Sequence, residues 1–222
     1  MNNSVTNTAR LLGAGLRALL ALTLVTGVVY PLVVTGIAQG LFHGRANGSA
    51  VEADGRVVGS SLIGQPYDLP LKKGQDTPDP DLKWFQGRPA NGLGSNTLNT
   101  RYRLVLSGAT NLSADDRTLI GQVRDAKAAV VRDNSVSGYT VKASDVPADA
   151  VTSSGSGLDP DISPAYAELQ VRRVAARNGL SAARVEKLVR DHTTGRTLGF
   201  IGEPRVNVLE LNIALEDLVS KH

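Results

Sequence analysis

The feature that most constrains this chain is an uncharged apolar run from Ala18 to Phe42, ALLALTLVTGVVYPLVVTGIAQGLF. As a helix that rises about 1.5 Å per residue, the run is roughly 37 Å long, whereas the hydrocarbon core of a bilayer is only about 30 Å thick. A helix also satisfies its backbone hydrogen bonds within the segment, as lipid requires. The sequence therefore predicts a short N-terminal tail (1–17), one transmembrane helix (18–42) and a single soluble domain (43–222).

Two alternatives remain open for the apolar run. A cleaved secretory signal has an apolar core of about 7–15 residues and a small-residue cleavage site, but this run is longer and its GIAQGLFHGR end contains no convincing site. A buried core helix would carry a polar face, which the run lacks. We expect a membrane span, and Arg10 and Arg17 on its N-terminal side slightly favour a cytoplasmic N-terminus and an extracytoplasmic domain.

Three residues of the predicted span favour contact with another membrane helix. Gly36 and Gly40 form a small-xxx-small pair, which lets two helix backbones approach closely. Pro31 frees a backbone carbonyl near the middle of the membrane, which a neighbouring helix can help to satisfy. Because Gly and Pro are common in membrane helices generally, an anchor without a helix partner is the alternative.

Composition excludes several functions for the rest of the chain. The first 42 residues hold two of the 24 basic residues and none of the 21 acidic ones, which leaves the soluble part close to neutral. The high isoelectric point is thus no sign of nucleic-acid binding, which needs a clustered basic surface. The chain contains no cysteine, and this excludes disulfides, thiolate catalysis and cysteine-based zinc sites.

Short strands and separate helices predict an α+β fold for the soluble domain. Ser113 begins a capping-box pattern and predicts a helix from there to near Asn134. Ser163 and Asn207 are expected to cap two later helices. The apolar stretch from Leu198 to Ile201 is expected to be a short buried strand.

Catalytic and metal-binding motifs are missing from the sequence. The G-x-x-x-x-G-K-[ST] phosphate loop is absent, and the three histidines lie far apart. We therefore predict no catalytic residue and no metal ligand. Acidic groups near residues 76–81 and 159–161 offer calcium ligands, but aspartate beside proline is more often a turn residue.

The loop from Val146 to Pro164, VPADAVTSSGSGLDPDISP, has an unusual composition. Its serines and glycines can present hydroxyl and backbone N–H groups to an anion. Gln170, on the following helix, can present an amide to the same ligand. The favoured alternative for the loop is a structural connection between a strand and a helix. For Gln170 the alternative is a side chain exposed to solvent.

Two stretches, AVTSSGSGLDPDISPAYAELQVRRVA and HTTGRTLGFIGEPRVNVLELNIAL, closely resemble the C subunit of the Kdp potassium-transporting P-type ATPase, as do GSSLIGQ and WFQGRPA earlier in the chain. The resemblance covers nearly the whole sequence. It departs between Ser107 and Asp116, where SGATNLSADD replaces a SGGSNLGPTNP-like stretch. The resemblance implies a single-pass accessory subunit, not an enzyme on its own, in a high-affinity ATP-driven potassium uptake complex of the bacterial inner membrane.

The same resemblance implies partners and a ligand. The partners are a K⁺-selective channel-like subunit and an ATP-hydrolysing P-type subunit, besides membrane lipid, and the subunit is needed to assemble or stabilise the complex. The family is also described as a catalytic chaperone that raises ATP affinity in the hydrolysing subunit, so ATP contact within the complex is implied although no tightly bound cofactor is expected. The residues implied in that contact are Ser153, Ser154, Gly155, Ser156, Gly157 and Gln170.

The predicted orientation conflicts with direct nucleotide contact. An extracytoplasmic domain cannot reach cytosolic ATP, so a chaperone effect would have to be an indirect coupling between states of the complex. Two functions unrelated to transport remain as alternatives: a membrane-anchored extracytoplasmic binding module and an enzyme that acts on an envelope substrate.

Overall fold

The N-terminal part of the protein is helical. The computed structural model describes residues 2–95 and 105–221, and the chain divides into one unit over residues 1–50 and a second over 51–222. In the first unit, helix α1 (Asn2–Leu24), a π-helical turn (Val25–Val29) and helix α2 (Tyr30–Leu41) follow one another without a break, and a short α3 (His43–Ala46) comes next. The segment Ser4–Leu41 is long and apolar enough to cross a membrane, and its side chains are exposed.

The π-helical turn lies directly before Pro31. The Tyr30 N–H donates to the Val25 carbonyl, five residues earlier, and Pro31 has no N–H with which to continue the ladder of hydrogen bonds. A locally widened turn is one of the recognised ways in which a helix accommodates such an interruption.

The second unit combines short strands with helices, which confirms the predicted α+β class. Strand β1 (Ala50–Ala53) pairs with β2 (Arg56–Ser60), β3 (Gly94–Ser95) with β4 (Val105–Leu106), and β5 (Asp161–Ile162), β7 (Arg205–Asn207) and β6 (Thr193–Thr194) form an antiparallel sheet in that order. The helices are α4 (Arg117–Asn134), α5 (Pro164–Asn178), α6 (Ala182–Asp191) and α7 (Val208–Ser220), with 3₁₀ turns at Ala143–Asp145 and Ala148–Ala150.

Local capping chemistry explains where the helices begin. The side chains of Ser163 and Asn207 accept hydrogen bonds from backbone N–H groups in the first turns of α5 and α7, which confirms both predicted caps. Helix α4 begins at Arg117 rather than at Ser113. Asp116 is its cap, because this carboxylate accepts from the N–H groups of Thr118 and Leu119, which have no intrahelical partner.

The hydrophobic core lies between α5, α6, α7 and the three-stranded sheet. Its members come from distant parts of the sequence, so the core ties the segment near residue 85 to the C-terminal helices. The most completely buried apolar side chains are Phe85, Ala167, Val171, Val174, Val185, Val206, Leu211 and Leu215.

The prediction of a buried strand at Leu198–Ile201 is wrong. These residues form an exposed turn between β6 and β7, with Leu198 79 % and Phe200 72 % exposed. We call this turn the apolar tip. From Arg101 to Leu106 the sequence alternates as a strand does and predicts one there. This prediction falls mostly outside the described residues, apart from Val105 and Leu106.

Candidate functional site

Two side-chain amides hold the segment Leu82–Gln86 in the centre of the second unit. Asn212, on α7, accepts from the Phe85 N–H and donates to the Phe85 carbonyl, both at 2.9 Å. Gln170, on α5, accepts from the Gln86 N–H at 2.7 Å and donates to the Gln86 carbonyl at 3.0 Å. A side-chain amide carries the same donor and acceptor as a peptide group, so each amide pairs with the segment much as a neighbouring strand would.

Arg173 completes this arrangement. Its guanidinium donates to the carbonyls of Leu82 and Trp84, to Asn134 Oδ1 at 2.8 Å and to Gln170 Oε1 at 2.6 Å. All of these acceptors are uncharged. Burial lowers the pKa of Arg173 to about 10. Because this pKa is still well above neutral pH, the group remains a cation there. We call Gln170, Arg173 and Asn212 the amide clamp.

The amide clamp accounts for Gln170 without a ligand. The residue is fully buried and both of its amide atoms are hydrogen-bonded inside the protein, which corrects the expectation that it is exposed to solvent. A signal was available in the sequence: Gln170 and Arg173 lie on the same helical stripe as Ala167 and Val174, and polar residues within an apolar stripe indicate a buried polar network.

The serine- and glycine-rich loop is braced by the rest of the domain. Arg88 forms an ion pair with Asp159 at 3.0 Å and donates to the carbonyl of Ser153 at 3.3 Å. Ser153 Oγ accepts from the Asn91 N–H, and the carbonyl of Ser156 accepts from the Gly108 N–H, both at 3.0 Å. These contacts give the loop a structural role in the domain.

The loop forms one wall of a cavity of about 280 Å³. Residues 109–112 form another wall, so the segment that departs from the family pattern lies at this cavity. Gln122, on α4, also lines it, and in the described part of the chain its Oε1 is buried without a hydrogen-bond partner. The cavity brings together Ser153, Ser154 and Gly155, whereas Ser156, Gly157 and Gln170 do not line it.

Gly157 has a structural reason to be glycine. Its φ is +68°, and an added Cβ would lie 2.7 Å from Leu93 Cδ2 and 3.1 Å from the Gly108 carbonyl oxygen. An L-residue is strained at such a φ, and the space is already occupied. By contrast, a Cβ at Gly155 would meet nothing within 4 Å.

A larger cavity of about 690 Å³ has mainly apolar walls. Several of its charged side chains are already engaged inside the protein. Arg173 belongs to the amide clamp, Arg88 pairs with Asp159, and Asp133 pairs with Arg132 at 2.8 Å. These contacts favour a structural role for the ionisable groups in this cavity.

The acidic groups considered as calcium ligands lie beside cations. Within residues 2–95 and 105–221, no cluster of three or more side chains is suited to a metal ion. Burial raises the pKa of Asp161, which its partner Arg205 partly offsets. The ion pairs are Asp79–Lys72 at 2.9 Å, Asp81–Lys83 at 3.5 Å, Asp159–Arg88 at 3.0 Å and Asp161–Arg205 at 3.0 Å.

The fold and the site define a class of protein. It is an α+β domain that follows one apolar helix in the sequence, and its buried polar residues hydrogen-bond within the domain. The family model described as K⁺-transporting ATPase, c chain (KdpC) matches residues 12–217. The chain belongs to the KdpC family.

Individual relatives agree with the family match. The chain is 76 % identical over 220 residues to the potassium-transporting ATPase KdpC subunit of Streptomyces coelicolor, covering 99 % of this chain and 98 % of that protein. It is 74 % identical over 220 residues to the KdpC subunit of Streptomyces avermitilis, with 99 % of both chains covered. The KdpC subunit of Gemmatimonas aurantiaca is 48 % identical over 198 residues, covering 89 % of this chain and 88 % of that protein.

Proposed function

We propose that this protein is a non-catalytic accessory subunit of a potassium-transporting ATPase and that it is needed to assemble and stabilise the complex. The family match over residues 12–217 carries the proposal. The amide clamp supports it, because the polar groups of Gln170, Arg173 and Asn212 are already used in hydrogen bonds that hold the domain together. A single apolar helix is also too little to enclose a pore, so the protein needs larger membrane partners.

The partners in this proposal are a K⁺-selective channel-like subunit and an ATP-hydrolysing P-type subunit. Gly36 and Gly40 lie one turn apart on α2, with nothing within 4 Å of an added Cβ at either position. A partner helix can therefore approach this face closely. Pro31 has no N–H, so a backbone carbonyl in the preceding turn lacks its usual donor, and such a helix, or water, can satisfy it.

The membrane arrangement follows from the charge bias. The protein spans the bacterial inner membrane once, with its N-terminus in the cytoplasm and its α+β domain outside. In this orientation, an increase in ATP affinity of the hydrolysing subunit is a coupling between states of the complex and requires no contact between this chain and the nucleotide.

A second candidate is direct nucleotide contact at the 280 Å³ cavity. The observation that favours it is the buried, unpartnered Gln122 Oε1, which would accept from an amino group, beside the hydroxyls of Ser153 and Ser154. Ser156, Gly157 and Gln170 would have only indirect roles. This candidate requires a cytoplasmic domain, so membrane orientation separates it from the first.

Co-purification tests the accessory-subunit proposal. A tagged full-length chain, extracted in mild detergent, should retain two larger membrane proteins, and its deletion should abolish growth at limiting potassium. Gly36→Leu with Gly40→Leu should reduce retention, whereas Val34→Leu, on the opposite helix face, should not. Isolation of the chain alone, with normal growth of the deletion strain, contradicts the proposal and favours the binding module or the envelope enzyme.

Protease treatment of intact spheroplasts tests the orientation. The proposal predicts cleavage of the α+β domain without lysis. Full protection until the cells are lysed would place the domain in the cytoplasm and favour direct nucleotide contact.

A further inference from the structure

The apolar tip exposes an unusual amount of hydrocarbon. Leu198, Phe200 and Ile201 are 79 %, 72 % and 52 % exposed, and they follow one another almost directly in the chain. Single exposed apolar residues are normal on a protein surface, whereas contiguous ones indicate a binding surface.

The backbone of the tip is fixed. Thr197 and Ile201 exchange backbone hydrogen bonds at 2.9 and 3.0 Å, and the Phe200 N–H donates to the Thr197 carbonyl at 3.3 Å. An ion pair between Arg196 and Glu203 closes the base of the turn at 2.6 Å. The apolar side chains are therefore presented in a defined geometry, which lowers the entropy lost when they bind.

Leu198 adopts a φ of +54°. A bulky residue is unfavourable in this left-handed region, and its side chain gains no compensating burial within the domain. Backbone strain of this kind persists mainly at functional sites. Leu198 thus has an unfavourable backbone conformation and exposes an apolar side chain to water. Contact with another molecule would account for both costs.

The charges around the tip decide between a lipid and a protein occupant. Arg196 pairs with Glu203, and Arg205 pairs with Asp161 at 3.0 Å, so the base of the tip has no excess of positive charge. Segments that bind anionic membrane surfaces carry such an excess. The tip also displays backbone polar groups of a turn, which are costly to place in hydrocarbon. An apolar pocket with a polar rim fits this surface better.

We propose that the apolar tip inserts into a pocket, lined by aliphatic or aromatic side chains, on a larger membrane subunit of the same complex. This inference rests on the accessory function proposed above and adds the surface through which the domain docks. Three side chains are too few for a whole stable interface. They act as the anchor of a larger one, with Phe200 supplying most of the buried area.

Partner retention tests the anchor. Phe200→Ser in the full-length tagged chain should weaken retention of the larger subunits by at least about tenfold. Leu198→Gly should act in the same direction although it relieves the positive-φ strain, so a loss of binding cannot come from a misfolded turn. Leu71→Ser is the control, since Leu71 is 57 % exposed elsewhere on the domain, and it should retain the partners normally.

Thiol labelling identifies the occupant. The chain has no cysteine, so Ile201→Cys introduces a single thiol at the tip and Leu71→Cys a matched one elsewhere. The maleimide reaction at position 201 should be at least about tenfold slower in the purified complex than in the same chain reconstituted alone in liposomes. The reaction at position 71 should proceed at the same rate in both.

These experiments distinguish failure of the anchor from failure of the proposed accessory function. A complex that forms normally with Phe200→Ser, or that leaves the thiol at position 201 fully reactive, overturns the anchor but keeps the accessory function. Protection in liposomes without the partners assigns the tip to lipid and also overturns the anchor. Failure of the wild-type chain to form any complex overturns both.

Discussion

The amide clamp holds polar and cationic groups inside the domain, whereas the apolar tip holds hydrocarbon outside it. Each departs from the usual distribution of residues in a soluble domain. Gln170 and Arg173 are almost fully buried, and Leu198 and Phe200 are mostly exposed. The difference between the two regions lies in what satisfies them: every clamp residue has partners within the chain, whereas the tip side chains have few.

Residue type alone does not show whether a side chain of this protein is buried or exposed. A glutamine beside a serine- and glycine-rich loop suggests a ligand contact, yet it is part of the interior. The sequence LGFI suggests a buried strand, yet it is on the surface. Loss of a clamp residue should therefore reduce folding stability first, and loss of a tip residue should reduce association first.

The largest effect is expected for Arg173→Met. The substitution leaves the carbonyls of Leu82 and Trp84 and the amide oxygen of Asn134 without their donor, and should lower the free energy of unfolding by about 3–5 kcal/mol. Urea unfolding of the full-length chain in detergent, followed by fluorescence of the single tryptophan, Trp84, measures it. Arg177→Met, exposed on the same helix, should change it by less than about 0.5 kcal/mol. Equal effects of the two variants would contradict the clamp.

Asn212→Ala should lower the free energy of unfolding by about 2–3 kcal/mol, because both backbone groups of Phe85 lose their partner in the core. Asn212→Asp retains the acceptor but loses the donor, and should be destabilised as well. Glu168→Ala, at an exposed position on α5, is the control. Wild-type stability of Asn212→Ala would show that these hydrogen bonds contribute little.

Gly157→Ala tests the structural role of the serine- and glycine-rich loop. The positive φ and the contacts with Leu93 and Gly108 should make the substitution cost about 2 kcal/mol. Gly155→Ala, with open space at its Cβ, should be close to neutral. The melting temperatures of Gly157→Ala and Gly155→Ala measure this difference. Similar values for the two variants would contradict a structural role for the loop.

Ionisation of Tyr166 at alkaline pH should weaken the interior by a smaller amount. Burial raises the pKa of Tyr166 from 10.0 to about 12, so the folded state binds this proton more tightly than the unfolded state. The stabilisation is present below pH 10 and is lost as the pH rises toward 12, by about 1 kcal/mol between pH 9.5 and 11. Arg173, with its lowered pKa, acts in the opposite direction, so the tyrosine contribution is isolated by subtracting the pH profile of Tyr166→Phe from that of the wild type. No difference between the two profiles would contradict it.

The smallest effect on folding is expected at the tip. Phe200→Ser should change the free energy of unfolding by less than about 0.5 kcal/mol, since the side chain is largely exposed. Leu198→Gly should be neutral or slightly stabilising because the left-handed conformation no longer carries a side-chain penalty. A strong destabilisation by Phe200→Ser would mean that the tip belongs to the folded domain and would remove the contrast with the clamp.

The sequence predicts those parts of the fold that local chemistry determines. The absence of charge identifies the candidate membrane helix, and the caps at Ser163 and Asn207 depend on neighbours within three residues. The partners of the clamp could not be predicted in this way, because Gln170 pairs with a residue 84 positions away. The tip was missed for another reason: exposed and buried apolar stretches have the same composition, and only the surrounding tertiary structure distinguishes them.

The central claim is that Gln170 holds the interior of the domain together, and we expect no nucleotide contact at this side chain. Its most direct test is the urea midpoint of Gln170→Ala, read from Trp84 fluorescence with and without ATP. We expect a midpoint well below that of the wild type and the same decrease under both conditions. A wild-type midpoint without ATP, together with an ATP-dependent stabilisation that only the wild type shows, would contradict it.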